Sequence, residues 1–196
     1  MELFEAIEKR RSIRSFKDEA VSRETLERIL HAALKAPSAR NAQPWRLIVL
    51  QGGEKTAFCD AFGDELTLAE QDPQRSPLLH SARASERVMR EAPVLVCVIH
   101  DGQEDEVTDP VSGVRRVGEM MDLLSIGAMV ENLALAAKAE GLDTLWIGDT
   151  VAAEPVLRKH LGEKGMLVSV VCAGLGAEKG HRPKAKDVSD VLEFRG

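Results

Sequence analysis

The sequence predicts an α+β fold, a sheet flanked by helices. Three observations predict it. Amphipathic helical stretches alternate with short apolar runs of strand length. Val94–Ile99 and Leu167–Ala173 are uninterrupted apolar runs of the kind buried inside a sheet. The connections between runs are too irregular for a regular doubly wound fold. At 196 residues the chain suits a single domain, 1–196, and a hydrophobic fraction of 44% is enough to fill its core.

Leu3, Phe4 and Ile7 share one helical face, so residues 2–10 read as helix. Ser22 caps a second helix, with Glu24 in its first turn and Leu26, Ile29, Leu30, Ala33 and Leu34 as its apolar stripe. Pro37 stops it. Leu47–Leu50 is a short strand, and Gly52-Gly53 turns the chain. Residues 54–92 have helical character broken by Gly63, Pro73 and Pro77, and read as a mobile cover. The run 101–118, acidic and then basic, reads as a loop. From about Glu119 to Ala139 a long helix is apolar on most of its circumference, which predicts burial, in part by another subunit. Leu145–Ile147 is a short strand, and Pro155–Leu161 a short helix ended by Gly162. After the strand Leu167–Ala173 the tail is polar and basic, then regains apolar character at Val188, Val191, Leu192 and Phe194.

Composition excludes several functions. A net charge of -6 gives no broad basic face for nucleic acid. Cys59, Cys97 and Cys172 form no CxxC pair and read as free thiols in a reducing compartment, Cys97 and Cys172 as small buried hydrophobes. Met1–Glu5 lacks the features of a secretory leader, and Met120–Leu142 carries Asp122, Glu131, Asn132, Lys138 and Glu140, too many polar groups for an uninterrupted membrane span. A cytoplasmic location is expected, with no membrane partner.

Two runs carry chemistry. Arg10-Arg11-Ser12-Ile13-Arg14 offers guanidinium forks and a hydroxyl, groups that grip phosphate. Alone, it also suits the solvated basic end of a helix. Pro37-Ser38-Ala39-Arg40-Asn41-Ala42-Gln43-Pro44-Trp45 sits between a helix and a strand. A helix stop and a core tryptophan account for Pro37 and Trp45. They leave unexplained the amides of Asn41 and Gln43, which offer donors and acceptors within a tight turn. Together the runs suit an anionic, planar, hydrogen-bonding ligand such as a phosphorylated flavin.

The two motifs resemble those of the nitroreductase family of FMN-dependent oxidoreductases. Ala139-Glu140-Gly141-Leu142-Asp143-Thr144-Leu145-Trp146-Ile147-Gly148 is similar to that family's helix–strand segment beside the flavin. The resemblance covers nearly the whole chain, least over 52–92 and 101–118. It implies a central, mostly antiparallel sheet and an interlocked homodimer with FMN at its interface. Arg10, Ser12 and Arg14, with Arg11 beside them, would hold the flavin from one subunit. Pro37, Ser38, Ala39 and Asn41 would approach it from the other. Ile147 and Gly148 would place backbone groups near the reactive edge, and Arg14 would stabilise charge on the reduced ring. Where the family commonly carries a phosphate-binding Arg near the tail, this chain has Lys186; the role is open to Lys186, Lys184 or Arg182.

The implied activity is NAD(P)H-dependent, ping-pong reduction of a nitroaromatic, quinone or similar small acceptor. Two readings compete with it: other flavin chemistry on the same fold, such as reductive dehalogenation or flavin breakdown, and flavin binding with little turnover. Gly174-Leu175-Gly176-Ala177-Glu178-Lys179-Gly180 imitates a dinucleotide fingerprint, but no further helix, strand and acidic residue can follow it, so these glycines read as a turn out of the sheet. His31, His80, His100, His160 and His181 lack zinc spacing and read as surface or helix-end residues, and no metal is expected. The acidic run Asp101–Asp109 lacks the EF-hand pattern.

Overall fold

The computed structural model describes residues 1–72, 74–75, 79, 81–101, 117–182 and 184–196. Among these residues four strands form one sheet: β1 (Trp45–Leu50), β2 (Val94–His100), β3 (Asp143–Ile147) and β4 (Met166–Gly174). Their order is β1-β2-β4-β3 and every pairing is antiparallel. The helices are α1 (Leu3–Lys9), α2 (Arg23–Ala33), α3 (Gly52–Glu70), α4 (Ala82–Glu91), α5 (Val117–Ala139) and α6 (Glu154–His160). This is the α+β sheet flanked by helices that the sequence predicts.

The core lies in two layers, and the alternation of β2 divides them. Leu95, Cys97 and Ile99 face Phe58, Phe62 and Leu66 of α3, with Met89 of α4 and Leu157 of α6. Val94, Val96 and Val98 face Leu26 and Ile29 of α2 and Ile126, Met129, Val130 and Leu133 of α5. Successive side chains of a strand point to opposite faces, so a strand covered on both sides must be apolar at every position. The six are at most 2% exposed. Ser22 caps α2, its hydroxyl accepting from Thr25 N at 3.1 Å.

Two expectations are corrected. Gly63 does not break a helix: α3 runs through it, because a Cβ there would stand 3.2 Å from Arg90 Nη2 and from Glu86 Oε1, and the missing side chain lets α4 close in. With Phe58, Phe62 and Leu66 fully buried, α3 is a core helix and not a cover. Gly52, at φ +53, turns the chain as expected but also opens α3. Pro73 and Pro77, and residues 102–116 of the run 101–118 expected to be a loop, lie outside the described residues, and Val117 and Gly118 belong to α5. α5 is buried along one side only: Met120, Met121, Leu123 and Leu124 are exposed. It is long and apolar enough by composition to cross a membrane, yet here it packs against α2, α1 and the sheet.

Candidate active site

After α1 the chain runs extended beside the sheet. Ser12 pairs in parallel with Thr144 of β3, Ile13 N donates to Thr144 O at 3.0 Å, and Phe16 bridges Gly176 just past β4. Ile13 and Phe16 point into the core, which sends the basic residues between and before them outward. The glycines after β4 make this fit. A Cβ on Gly176 would meet Asp143 Oδ2 at 2.8 Å. Gly180, at φ +67, lies so close to the basic run that a Cβ would meet Ile13 Cδ1 at 2.6 Å and Arg11 Cβ at 2.9 Å. The fingerprint-like glycines therefore seat the tail against residues 11–16.

The result is a cavity of about 380 Å³ lined by Ile7, Arg10, Arg11, Ser12, Arg14, His181 and Arg182. Arg14 also lines a second cavity, of about 350 Å³, with Ser81, Ser85, Arg87, Trp146, Ile147, Gly148 and Asp149 among its walls. One guanidinium thus joins a strongly cationic chamber to one floored by the end of β3. A Cβ on Gly148 would meet open space, so its backbone is accessible.

Most arginines here are paired with carboxylates. Among the described residues only Arg11, Arg14, Arg40 and Arg87 form no such pair. Three of those four line the two cavities. Arg10 and Arg182 are held by Glu131 at 3.1 Å and Glu8 at 2.8 Å, in solvent-exposed pairs weak enough to yield to a ligand. Arg182 draws the Glu8 carboxyl below its ordinary value by hydrogen bond and by charge. This donor set, guanidiniums and a hydroxyl at one end and guanidiniums beside open backbone at the other, fits a phosphorylated flavin.

The second motif lies elsewhere in the same chain. Ala39–Asn41 is a 3-10 turn, and Arg40, Asn41 and Gln43 all have positive φ, at 53°, 55° and 48°. Ser38 Oγ accepts from Gln43 N at 3.0 Å, and Gln43 Nε2 donates to Asn41 Oδ1 at 3.4 Å. Ser125 Oγ of α5 accepts from Ala39 N at 3.2 Å. Three non-glycine residues held left-handed within four positions are the kind of strain that gathers at functional sites. Pro37, Ser38, Ala39 and Asn41 line neither basic cavity; Ala39 and Arg40 instead border a third, of about 250 Å³, with Met121 and Asp122.

Lys184 and Lys186 are exposed and line neither basic cavity; Arg182 and His181 stand there instead. His100 is not a surface histidine: it is 4% exposed, with Nε2 2.9 Å from Asp122 Oδ2. Among the described residues no cluster of His, Cys, Asp or Glu could hold a metal. Among the cavity residues that escaped the sequence reading are Ser81, Ser85, Arg87 and Asp149. Arg87 had a faint signal: it precedes Glu91 by four positions, the less favourable order for a helical ion pair.

The Nitroreductase family model matches residues 7–176. The chain belongs to the nitroreductase family. This nitroreductase-family protein is 32% identical over 180 residues to a 5,6-dimethylbenzimidazole synthase from Rhodospirillum rubrum, covering 89% of this chain and 82% of that one. It is 29% identical over 212 residues to a 4-nitrobenzoate reductase from Nocardioides sp., covering 96% and 86%. A Desulfovibrio desulfuricans protein solved in complex with FMN superposes with a TM-score of 0.73 at 27% identity, over 100% of this chain and 98% of that one. An FMN-dependent oxidoreductase activity is the family-level function, and the antiparallel sheet implied by the resemblance is present.

Proposed function

We propose that this nitroreductase-family protein is a homodimeric FMN enzyme. In this reading NAD(P)H reduces the flavin, and a nitroaromatic, quinone or related small acceptor then reoxidises it. The observation that carries the reading is Arg14, shared between a cationic chamber and a second chamber ending at Gly148. Bound FMN would supply the two-electron chemistry. The chain would grip its phosphate through Arg10, Arg11, Ser12 and Arg182. Arg14 and Arg87 would place positive charge beside the ring, where reduction adds negative charge. Gly148 and Ile147 would offer backbone groups without side-chain obstruction.

The dimer and the single-domain unit, 1–196, belong to the same proposal. Pro37, Ser38, Ala39 and Asn41 would complete the site of a second copy. Apolar exposure supports this. Phe4 is 81% exposed on α1 beside Leu3 and Ile7, Leu124 is 65% exposed on α5, and Phe194 is 90% exposed in the tail. Patches of this kind mark protein interfaces.

Steady-state kinetics test the reading. Parallel double-reciprocal lines with NAD(P)H and an acceptor such as menadione or 4-nitrobenzoate support alternating use of one cleft. Intersecting lines contradict it. The similarity to a 5,6-dimethylbenzimidazole synthase favours one second reading, other flavin chemistry on the same scaffold. Product analysis after aerobic turnover with reduced FMN separates the two: a consumed ring system supports the second, intact FMN the first.

A further inference from the structure

Asp149 lies one residue past Gly148, at the start of the 3-10 turn Asp149–Ala153, and lines the second cavity together with Arg14 and Arg87. Its Oδ1 accepts a hydrogen bond from Ser81 Oγ at 2.8 Å, and its Oδ2 accepts one from Ser85 Oγ. Among the described residues it forms no ion pair, although it shares the chamber with two guanidiniums that themselves have no carboxylate partner. A carboxylate left free beside free arginines could satisfy both by pairing with one of them. Here it is held by two hydroxyls of the segment that opens α4. Each of its oxygens has two acceptor sites, and one hydroxyl on each leaves capacity for a further donor.

The chamber therefore presents two kinds of charged group, arginines that only donate and a carboxylate that only accepts. The pyrimidine edge of a flavin needs both. Its two carbonyl oxygens take donors, and the imide N–H between them requires an acceptor. Asp149 is the only carboxylate among the described residues lining this chamber, and Ser81 and Ser85 already spend their protons on it.

We propose that Asp149 recognises the imide N3–H of the bound flavin, with Ser81 and Ser85 as positioning residues that fix its carboxylate. The inference rests on the flavin reading above and adds to it a ligand specificity: the chamber selects ring systems that carry an imide N–H. Asp149 would also stitch the turn after β3 to α4, and a purely structural role would not depend on the ligand's N3 substituent.

The test is a pair of fluorescence titrations of the full-length protein, with FMN and with 3-methyl-FMN, which lacks that proton. One hydrogen bond to a charged acceptor corresponds to about a tenfold or greater preference for FMN. The parent should show that preference. Asp149→Ala should bind both flavins alike, within about twofold, by losing affinity for FMN. Should Asp149→Ala fail to fold, the Ser81→Ala/Ser85→Ala double variant carries the same comparison, with a reduced preference expected. A parent that binds FMN without preferring it, or an Asp149→Ala protein that keeps the parent's ratio, overturns this inference and leaves the flavin reading standing. A protein that binds neither flavin overturns both.

Discussion

Replacing Gly180 by alanine measures how tightly the tail holds the basic run. Two costs combine. At φ +67 an L-residue sits in the left-handed region, which costs about 1–2 kcal/mol. The new methyl would also fall 2.6 Å from Ile13 Cδ1 and 2.9 Å from Arg11 Cβ. Ile13 is 2% exposed and has no room to withdraw, and Arg11 Cβ is fixed to the backbone, so overpacking adds about 1–3 kcal/mol. Gly162 supplies the control. It has φ +69 and ends α6, but nothing lies within 4 Å of its would-be Cβ, so Gly162→Ala carries the backbone cost alone. Urea unfolding at fixed protein concentration should place Gly180→Ala below Gly162→Ala by that second increment of about 1–3 kcal/mol. FMN titration should show weaker binding for Gly180→Ala, since Arg11 is displaced, and parent-like binding for Gly162→Ala. Equal stabilities, or equal FMN affinities, would refute the claim that Gly180 sets the position of the cationic chamber.

Arg182→Ala should weaken FMN binding more than Lys184→Ala or Lys186→Ala, because Arg182 lines the cavity and the lysines do not; isothermal titration reads the order directly. Glu8→Gln frees Arg182 and should tighten FMN binding at pH 7. Glu8's folded pKa lies below the ordinary 4.5, so its contribution to stability is present above 4.5 and is lost as pH falls through the lower, folded value. The small stability difference between parent and Glu8→Gln should therefore close on acidification, as followed by thermal melting. Burial pushes the Cys59 thiol up to about 11 and raises Cys97 and Cys172 further, so all three should resist a thiol reagent at pH 8 until the protein is unfolded.

The parts of the fold that announce themselves in the sequence are those whose signal is local. Ser22 capping α2 needs only the next three residues, and β2 declares itself by an unbroken apolar run. The parts that stay hidden depend on distant neighbours. Gly63 looks like a breaker until Glu86 and Arg90 are seen against it. His100 looks ordinary until Asp122, 22 residues away, closes on it. The basic run at 10–14 was legible as a cluster of guanidinium donors because its residues are contiguous, and the structure sets them around one cavity. Arg87 and Asp149 were not, because they lie far apart in the sequence and only the folded chain sets both against one cavity. The turn at 37–44 announces its strangeness through its amides, and the structure adds left-handed strain at Arg40, Asn41 and Gln43. Within one chain it lies apart from the basic cavities, and in the proposed dimer it would complete a site shared with a second copy.

Native mass spectrometry of the purified protein tests that sharing most directly. A site built from both copies gives one dominant species, two 21.4 kDa chains carrying two FMN molecules, with chain association and flavin retention lost together on dilution. A single chain that keeps its FMN, or a dimer that stays flavin-free in excess FMN, would contradict it.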